Sequence, residues 1–232
     1  MKYACKKSAG IVVAPHHLAA EAGARILGEG GNAIEAMIAA AAAITVVYPH
    51  MNSLGGDNFI LIGDGAMPFA IDACGAAARK ADVSFYRDRE LDDIPSRGPL
   101  AALTVAGAVS GWQMALEKSK RRGGRIPLSR LFEDAIKYAR EGVPVTGTLN
   151  RNLSEKFNEL KDTSGFSDTF LINGTIPKVG QNLKFPALAN TLDYLSRVGL
   201  DDFYQGDVGE TIASELVSCG SPLRIEDFRR HS

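Results

Sequence analysis

The sequence predicts an α+β fold dominated by helix, with a few strands near its start. Three observations carry this. A short apolar run, Ile11 to Ala14, is followed at once by long stretches in which apolar residues recur at helical spacing. Two apolar runs, NFILIG and AMPFAID, flank the pair Asp64-Gly65, the signature of a β-hairpin. Beyond about residue 103 helical periodicity dominates.

Taken in order, Ile11 to Ala14 reads as a buried strand and residues 16–29 as a helix. Leu18, Ala22, Ile26 and Leu27 form its stripe, and Gly30-Gly31 stops it. Asn32 is placed to cap the next helix, with Glu35 at capping-box spacing. That helix, AIEAMIAAAAAITVV, includes the five-alanine run 39–43. It has small side chains on nearly every face, which lets neighbouring backbones approach and predicts a central, buried position. Pro49 ends it. The hairpin follows the glycine turn NSLGGDNF. Residues 80–99 read as loop with some helix, and LTVAGAVSGW starts extended and turns helical. Further helices are expected at 111–122, 128–141, 148–161, 186–198 and 207–218, with a loop-rich stretch at 163–185. The 128–141 helix carries the stripe Leu128, Leu131, Phe132, Ala135, Ile136 and Ala139 and stops at Gly142. The last helix opens with Asp207 and Glu210 in capping-box spacing.

The totals narrow the function classes. The 232 residues suffice for a sizeable core, and 45% hydrophobic with 23% charged residues is ordinary for a globular chain. A net charge of −1 provides no global attraction for nucleic acid or anionic membranes. The basic cluster Lys118, Lys120, Arg121, Arg122 and Arg125 reads as a solvated helix end. Cys5, Cys74 and Cys219 form neither a disulfide framework nor a metal pair. His16, His17, His50 and His231 lack metal-ligand spacing, so no metal or cofactor is expected. The opening MKYACKKSAG has no apolar core of a signal peptide, and 33–47 is too short to span a bilayer, so a cytoplasmic location is expected.

Four features compete as sites. Gly55-Gly56 with Asp57 follows a helix and precedes a strand. That is the reverse of a phosphate cradle, so a turn needing positive φ or close backbone approach is the better reading than a ligand-binding loop. Cys74, in IDACGAAARKA at the hairpin exit, is open to two readings. As a nucleophile it would need a base that no local motif supplies; as a small residue it would be buried. Asp72 can hold a backbone turn or contact a ligand. Of the His16-His17 pair one ring is expected to cap or pack, and Trp112 reads as a core anchor.

The order of motifs adds what spacing does not. GGNAIEA at 30–36 resembles the G-G-N-A-x-D-A helix start of the γ-glutamyltranspeptidase family, and Ser53 to Phe59 its S-G-x-G-G-x-x-F turn. Thr104 to Trp112 resembles its V-P-G-x-x-x-G-x segment, and Phe203-Tyr204-x-Gly206 its F-Y-x-G. The resemblance runs over about residues 10–228 of the large-chain segment. It implies an N-terminal nucleophile hydrolase fold, an αββα sandwich, of which 1–232 would be an incomplete, helix-rich portion. It also implies a precursor that cleaves itself, so that a new N-terminal threonine attacks a γ-glutamyl amide with its own amine as base. Water, amino acids or peptides would be acceptors.

Two departures shape the expectation. The family's processing threonine lies in a T-T-H-like stretch, and no threonine here precedes Thr or His. The catalytic nucleophile is therefore expected in a separate small chain, and this chain offers no catalytic residue of its own. The family's R-E-x-A-P signature also aligns with Cys74, Gly75, Ala76, Ala77 and Ala78. The resemblance places Cys74 where relatives keep an arginine for the substrate α-carboxylate, and Gly75 where they keep a glutamate. Cysteine cannot replace a bidentate arginine. Arg79, five positions on, would compensate only if the strand end bends. The substrate-binding candidates are therefore Asp72, Cys74, Gly75 and Arg79. The function expected is the N-terminal segment of an amide hydrolase or transferase whose substrate need not be γ-glutamyl. The rival readings are a non-catalytic chain that binds a partner polypeptide, and a small-molecule binding module built on Gly55-Gly56.

Overall fold

A computed structural model describes residues 3–7, 10–63, 65 and 67–231. Eleven helices and three two-stranded antiparallel ladders make up the described fold, which is α+β as expected. The strand expected at 11–14 is β2 (Gly10–Ala14), but it is not the buried strand expected: Ile11 and Val13 are exposed and only Ala14 is buried, because one face of this two-stranded ladder is left open. It pairs with β1 (Tyr3–Lys7), a strand the sequence reading does not anticipate. Helix α1 (His17–Gly28) begins where the imidazole Nδ1 of His16 accepts the Leu18 N–H at 3.3 Å, the capping role expected of one histidine of the pair. It ends as Gly30, at φ 88°, lets Gly31 N–H return to the Ile26 carbonyl at 2.9 Å.

The capping box before α2 (Ala33–Val47) is present in full. Asn32 Oδ1 accepts the Ile34 and Glu35 N–H groups, and Glu35 Oε2 accepts the Asn32 N–H at 2.8 Å. Helix α2 is central, packed against α1 and α5 (Leu128–Glu141). The small residues matter at that contact: a Cβ on Gly23 of α1 would lie 2.7 Å from the Ala36 carbonyl oxygen of α2. Helix α5 buries Leu131, Phe132, Ala135, Ile136 and Ala139 and packs in turn on α8 (Pro186–Val198).

The hairpin forms between β3 (Asn58–Ile62) and β4 (Phe69–Ala73), in register Phe59↔Asp72 and Ile60↔Ile71. Of the turn pair expected, Asp64 lies outside the described residues, and Gly65 has φ 84°. Ile60, Ile71 and Ala73 face the helices and are buried, whereas Phe59 and Leu61 on the other face are 71% and 75% exposed.

Three boundaries differ from expectation. The helix expected at 111–122 is α4 (Ala108–Lys120) and starts earlier, because Gly56 O accepts the Ala108 N–H at 2.8 Å and fixes the first turn. The loop-rich stretch 163–185 contains a short helix, Phe166–Phe170, and a two-residue strand, Asn182–Leu183. Helix α10 (Asp207–Ser218) forms, but Asp207 and Glu210 do not make a capping box. The Val208 N–H is taken by Asp202 Oδ1 at 3.0 Å, while Glu210 pairs with Arg229. No helix of the described residues is long and apolar enough to cross a membrane.

Candidate functional site

The exit of β4 is laid against the segment leading into α4. Ala78 N–H donates to Leu103 O at 2.8 Å and Val105 N–H to Ala76 O at 3.0 Å. The two backbones cross so tightly that a Cβ on Gly75 would fall 1.5 Å from the Val105 carbonyl oxygen. One on Gly107 would fall 2.0 Å from that of Ala73. Gly75 is thus required by the crossing itself, and no longer side chain fits there. The crossing is fastened from behind. Tyr204 OH accepts the Ser110 N–H at 2.9 Å and donates to Ala106 O at 2.8 Å, and His231 Nε2 lies 2.9 Å from Ser110 Oγ.

Alternation along β4 sets which side chains leave the core. Ile71 and Ala73 point in; Asp72 and Cys74 point out, on the face that carries Phe59 and Leu61. Cys74 is exposed, which corrects the reading of a small buried cysteine. Asp72 Oδ1 accepts the Cys74 N–H at 3.2 Å, so Asp72 does hold a backbone turn. The hydrogen bond to Asp72 and the negative charges of Asp72 and Asp57 push the Cys74 thiol up to about 11. A thiol so placed stays protonated at neutral pH and is a poor nucleophile.

The Arg79 backbone N–H donates to Asp227 Oδ1 at 3.1 Å, which ties this segment to helix α11 (Ile225–Arg229). Asp72, Cys74 and Gly75 therefore form one continuous edge, while Arg79 is anchored at the other end of the extended stretch 76–78.

Gly55 and Gly56 behave unlike the expectation for them. Neither has positive φ, and a Cβ on either would make only ordinary contacts with Ser53. Their turn instead forms one wall of a cleft of about 520 Å³, shared with the end of α2, His50 to Ser53, Asp57, Asn58, Ala108 and Trp112. Asp57, on this wall, is close enough to Cys74 to act on its thiol, so the cleft adjoins the strand exit. Trp112 is 2% exposed and meets Phe132 edge-on at 5.8 Å, the core anchor expected. Its role as cleft wall, and that of His50, were not apparent from sequence. The only hint was Pro49-His50 at the junction of a helix end and a glycine turn. Among the described residues no group of three or more His, Cys, Asp or Glu side chains is arranged to hold a metal.

Comparison with known proteins places this geometry. The family model described as Gamma-glutamyltranspeptidase matches residues 19–232. An oxamate amidohydrolase proenzyme of Klebsiella pneumoniae is 50% identical over 227 residues, covering 96% of this chain and 42% of that protein. A glutathione hydrolase-like proenzyme of Bacillus subtilis is 35% identical, covering 95% and 41%. Among solved structures, the γ-glutamyltranspeptidase of Helicobacter pylori superposes with a TM-score of 0.89 at 29% identity. It covers 98% of this chain and 65% of that one. The chain matches the N-terminal portion of such proteins and spans about 40% of the length of these curated relatives. Its structural neighbours are N-terminal nucleophile hydrolases, the fold the motif order implied. The chain belongs to the γ-glutamyltranspeptidase family.

Proposed function

We propose that this chain is the N-terminal, substrate-lining segment of an amide hydrolase or transferase whose preferred substrate is a small amide other than a γ-glutamyl compound. The observation that carries the reading is Cys74, a neutral, exposed side chain at the position where the family resemblance implies a carboxylate-binding arginine. Arg79 lies five positions on, with its backbone tied to Asp227. Resemblance to an oxamate amidohydrolase proenzyme supports a small amide as substrate.

In this reading residues 1–232 form one incomplete domain, and a completing small chain brings the threonine nucleophile. The threonine hydroxyl adds to the amide carbonyl while its own α-amine takes the proton. Backbone N–H groups hold the oxyanion, the amide nitrogen leaves protonated, and water or an amino acid releases the acyl group. This chain contributes the edge formed by Asp72, Cys74 and Gly75, on which the substrate's far end rests. It also contributes the face with Phe59 and Leu61, both more than half exposed, for the completing polypeptide to cover. That same face is what favours the second reading, a chain that acts only by binding a partner polypeptide.

The test uses the longest product of the gene, incubated side by side with a γ-glutamyl anilide and with oxamate or other simple amides. The expected result is faster turnover of the simple amides. Faster turnover of the γ-glutamyl compound would contradict altered specificity, and no turnover of either favours the partner-binding reading.

A further inference from the structure

Helix α4 starts with an irregularity. Its first regular backbone bond runs from Gly111 N–H to Gly107 O at 3.1 Å. One residue earlier, the same ladder would join Ser110 N–H to Ala106 O. Both groups are bonded to the Tyr204 hydroxyl instead. It accepts from Ser110 N–H at 2.9 Å and donates to Ala106 O at 2.8 Å. A side chain inserted into the ladder in this way bends or stops a helix. Tyr204 lies in α9 (Asp202–Gln205) and is 3% exposed. Burial pushes its phenol pKa up, so the hydroxyl keeps the proton it donates.

The segment held out of the helix is the one that meets the substrate edge. Thr104 bridges Ala77 in antiparallel fashion, and Val105 N–H donates to Ala76 O at 3.0 Å. A Cβ on Gly107 would fall 2.0 Å from Ala73 O and 3.2 Å from the Cys74 carbonyl carbon, and one on Gly75 1.5 Å from Val105 O. The two backbones touch directly, so a shift of 105–107 is passed on to 73–75. Ser110 adds a second tie. Its one hydroxyl hydrogen goes to Gly107 O at 2.8 Å, so its oxygen accepts from His231 Nε2–H, 2.9 Å away.

We propose that Tyr204 is a positioning residue for amide recognition: its hydroxyl is a wedge that keeps 105–107 out of α4 and so holds the Asp72–Cys74–Gly75 edge in place. Without the hydroxyl, Ser110 N–H closes on Ala106 O, α4 lengthens at its start, and Gly107 draws away from Ala73 and Cys74. The helix then satisfies its own groups, so the protein folds while the edge moves. The proposal rests on the amide-hydrolase reading for its substrate and adds the residue that sets the edge from behind.

The test compares the longest gene product with its Tyr204→Phe variant, which loses the hydroxyl and keeps the ring. Tyr86→Phe is the matched control. Tyr86 is 6% exposed and its hydroxyl also donates to a backbone carbonyl, Leu100 O at 3.1 Å, but to no residue of the crossing. The first readout is KM and kcat for oxamate. Tyr204→Phe is expected to raise KM about tenfold and to leave kcat within about threefold, because the edge holds the substrate's far end while the small chain's threonine does the chemistry. Loss of folded protein alone would lower the apparent kcat and leave KM unchanged. The second readout is Cys74 alkylation as a function of pH, followed by peptide mass mapping, and needs no turnover. The hydrogen bond to Asp72 is the main cause holding that thiol up at about 11. A displaced edge weakens this bond, so alkylation at pH 8 is expected to quicken at least about fivefold. Tyr86→Phe should change neither readout.

An alkylation profile unmoved by Tyr204→Phe would overturn the proposal. So would a fall in kcat at constant KM, or an equal shift in Tyr86→Phe. If the unaltered product turns over no amide, the amide-hydrolase reading fails by itself. The thiol profile then decides the wedge alone: a shift supports it and no shift overturns it.

Discussion

The helical layer around α2 and the hairpin edge around Cys74 are built to opposite standards. In the helical layer even a buried carboxylate is fully used. Glu35, 3% exposed, accepts the N–H groups of Asn32 and Ile126, each at 2.8 Å, and Asn32 Nδ2 donates to Ser119 Oγ at 2.8 Å. Phe132, Leu131 and Ala135 are sealed within it. At the hairpin edge, two large apolar side chains face outward, and in the residues lining the adjoining cleft the ring nitrogens of His50 and the indole nitrogen of Trp112 have no hydrogen-bond partner among the described residues. The contrast teaches where stability resides and where function is expected. The helical layer around α2 satisfies its own polar groups, whereas the outer face of the hairpin leaves large apolar side chains open.

The comparison can be broken by mutating matched residues on either side. Phe132→Ala should cost about 4 kcal/mol in urea unfolding, since it empties a fully buried site between α5 and Trp112. A loss under about 1 kcal/mol would show the layer to be loosely packed. Gly75→Ala should cost roughly 3 kcal/mol, because the new methyl meets backbone rather than a yielding side chain. Differential scanning calorimetry checks it, and an unchanged midpoint would contradict the tight crossing. Asp72→Asn should leave stability nearly unchanged but let the Cys74 thiol ionise at lower pH. Alkylation of Cys74 at pH 8, followed by peptide mass mapping, is then expected to quicken by roughly tenfold. The sign follows from Asp72 favouring the protonated thiol, so an unaltered pH profile would remove that carboxylate from the account. Leu61→Ala, although also a loss of large apolar volume, should change the stability of the isolated chain by less than about 0.5 kcal/mol. A loss as large as that of Phe132→Ala would mean the face is already covered.

How legible each region was in the sequence follows the same division. The capping box Asn32-Glu35, the stripe of α5 and the stop at Gly142 were readable because local chemistry decides them, and the family resemblance gave the fold that its relatives share. Cys74 was misread for an instructive reason. The apolar preference of cysteine suggested burial, but strand alternation starting from buried Ile71 puts residue 74 outside, and alternation prevails. The anchoring of the backbone at Arg79 was not readable, since the acceptor, Asp227, is 148 positions away. The same holds for the cleft, which joins the end of α2 to the start of α4 through a contact between Gly56 and Ala108 that no local pattern encodes. Likewise Asp207 and Glu210 had the spacing of a cap, yet Asp202 was nearer to the free N–H.

The central claim is that the side chain at position 74 decides which amide is accepted. The direct measurement is kcat/KM for a γ-glutamyl anilide and for oxamate, compared between the longest gene product and its Cys74→Arg variant. The account predicts that arginine raises γ-glutamyl turnover by about tenfold or more relative to oxamate, by restoring a bidentate partner for the α-carboxylate. An unchanged ratio, in a variant that still folds and turns over oxamate, would contradict it.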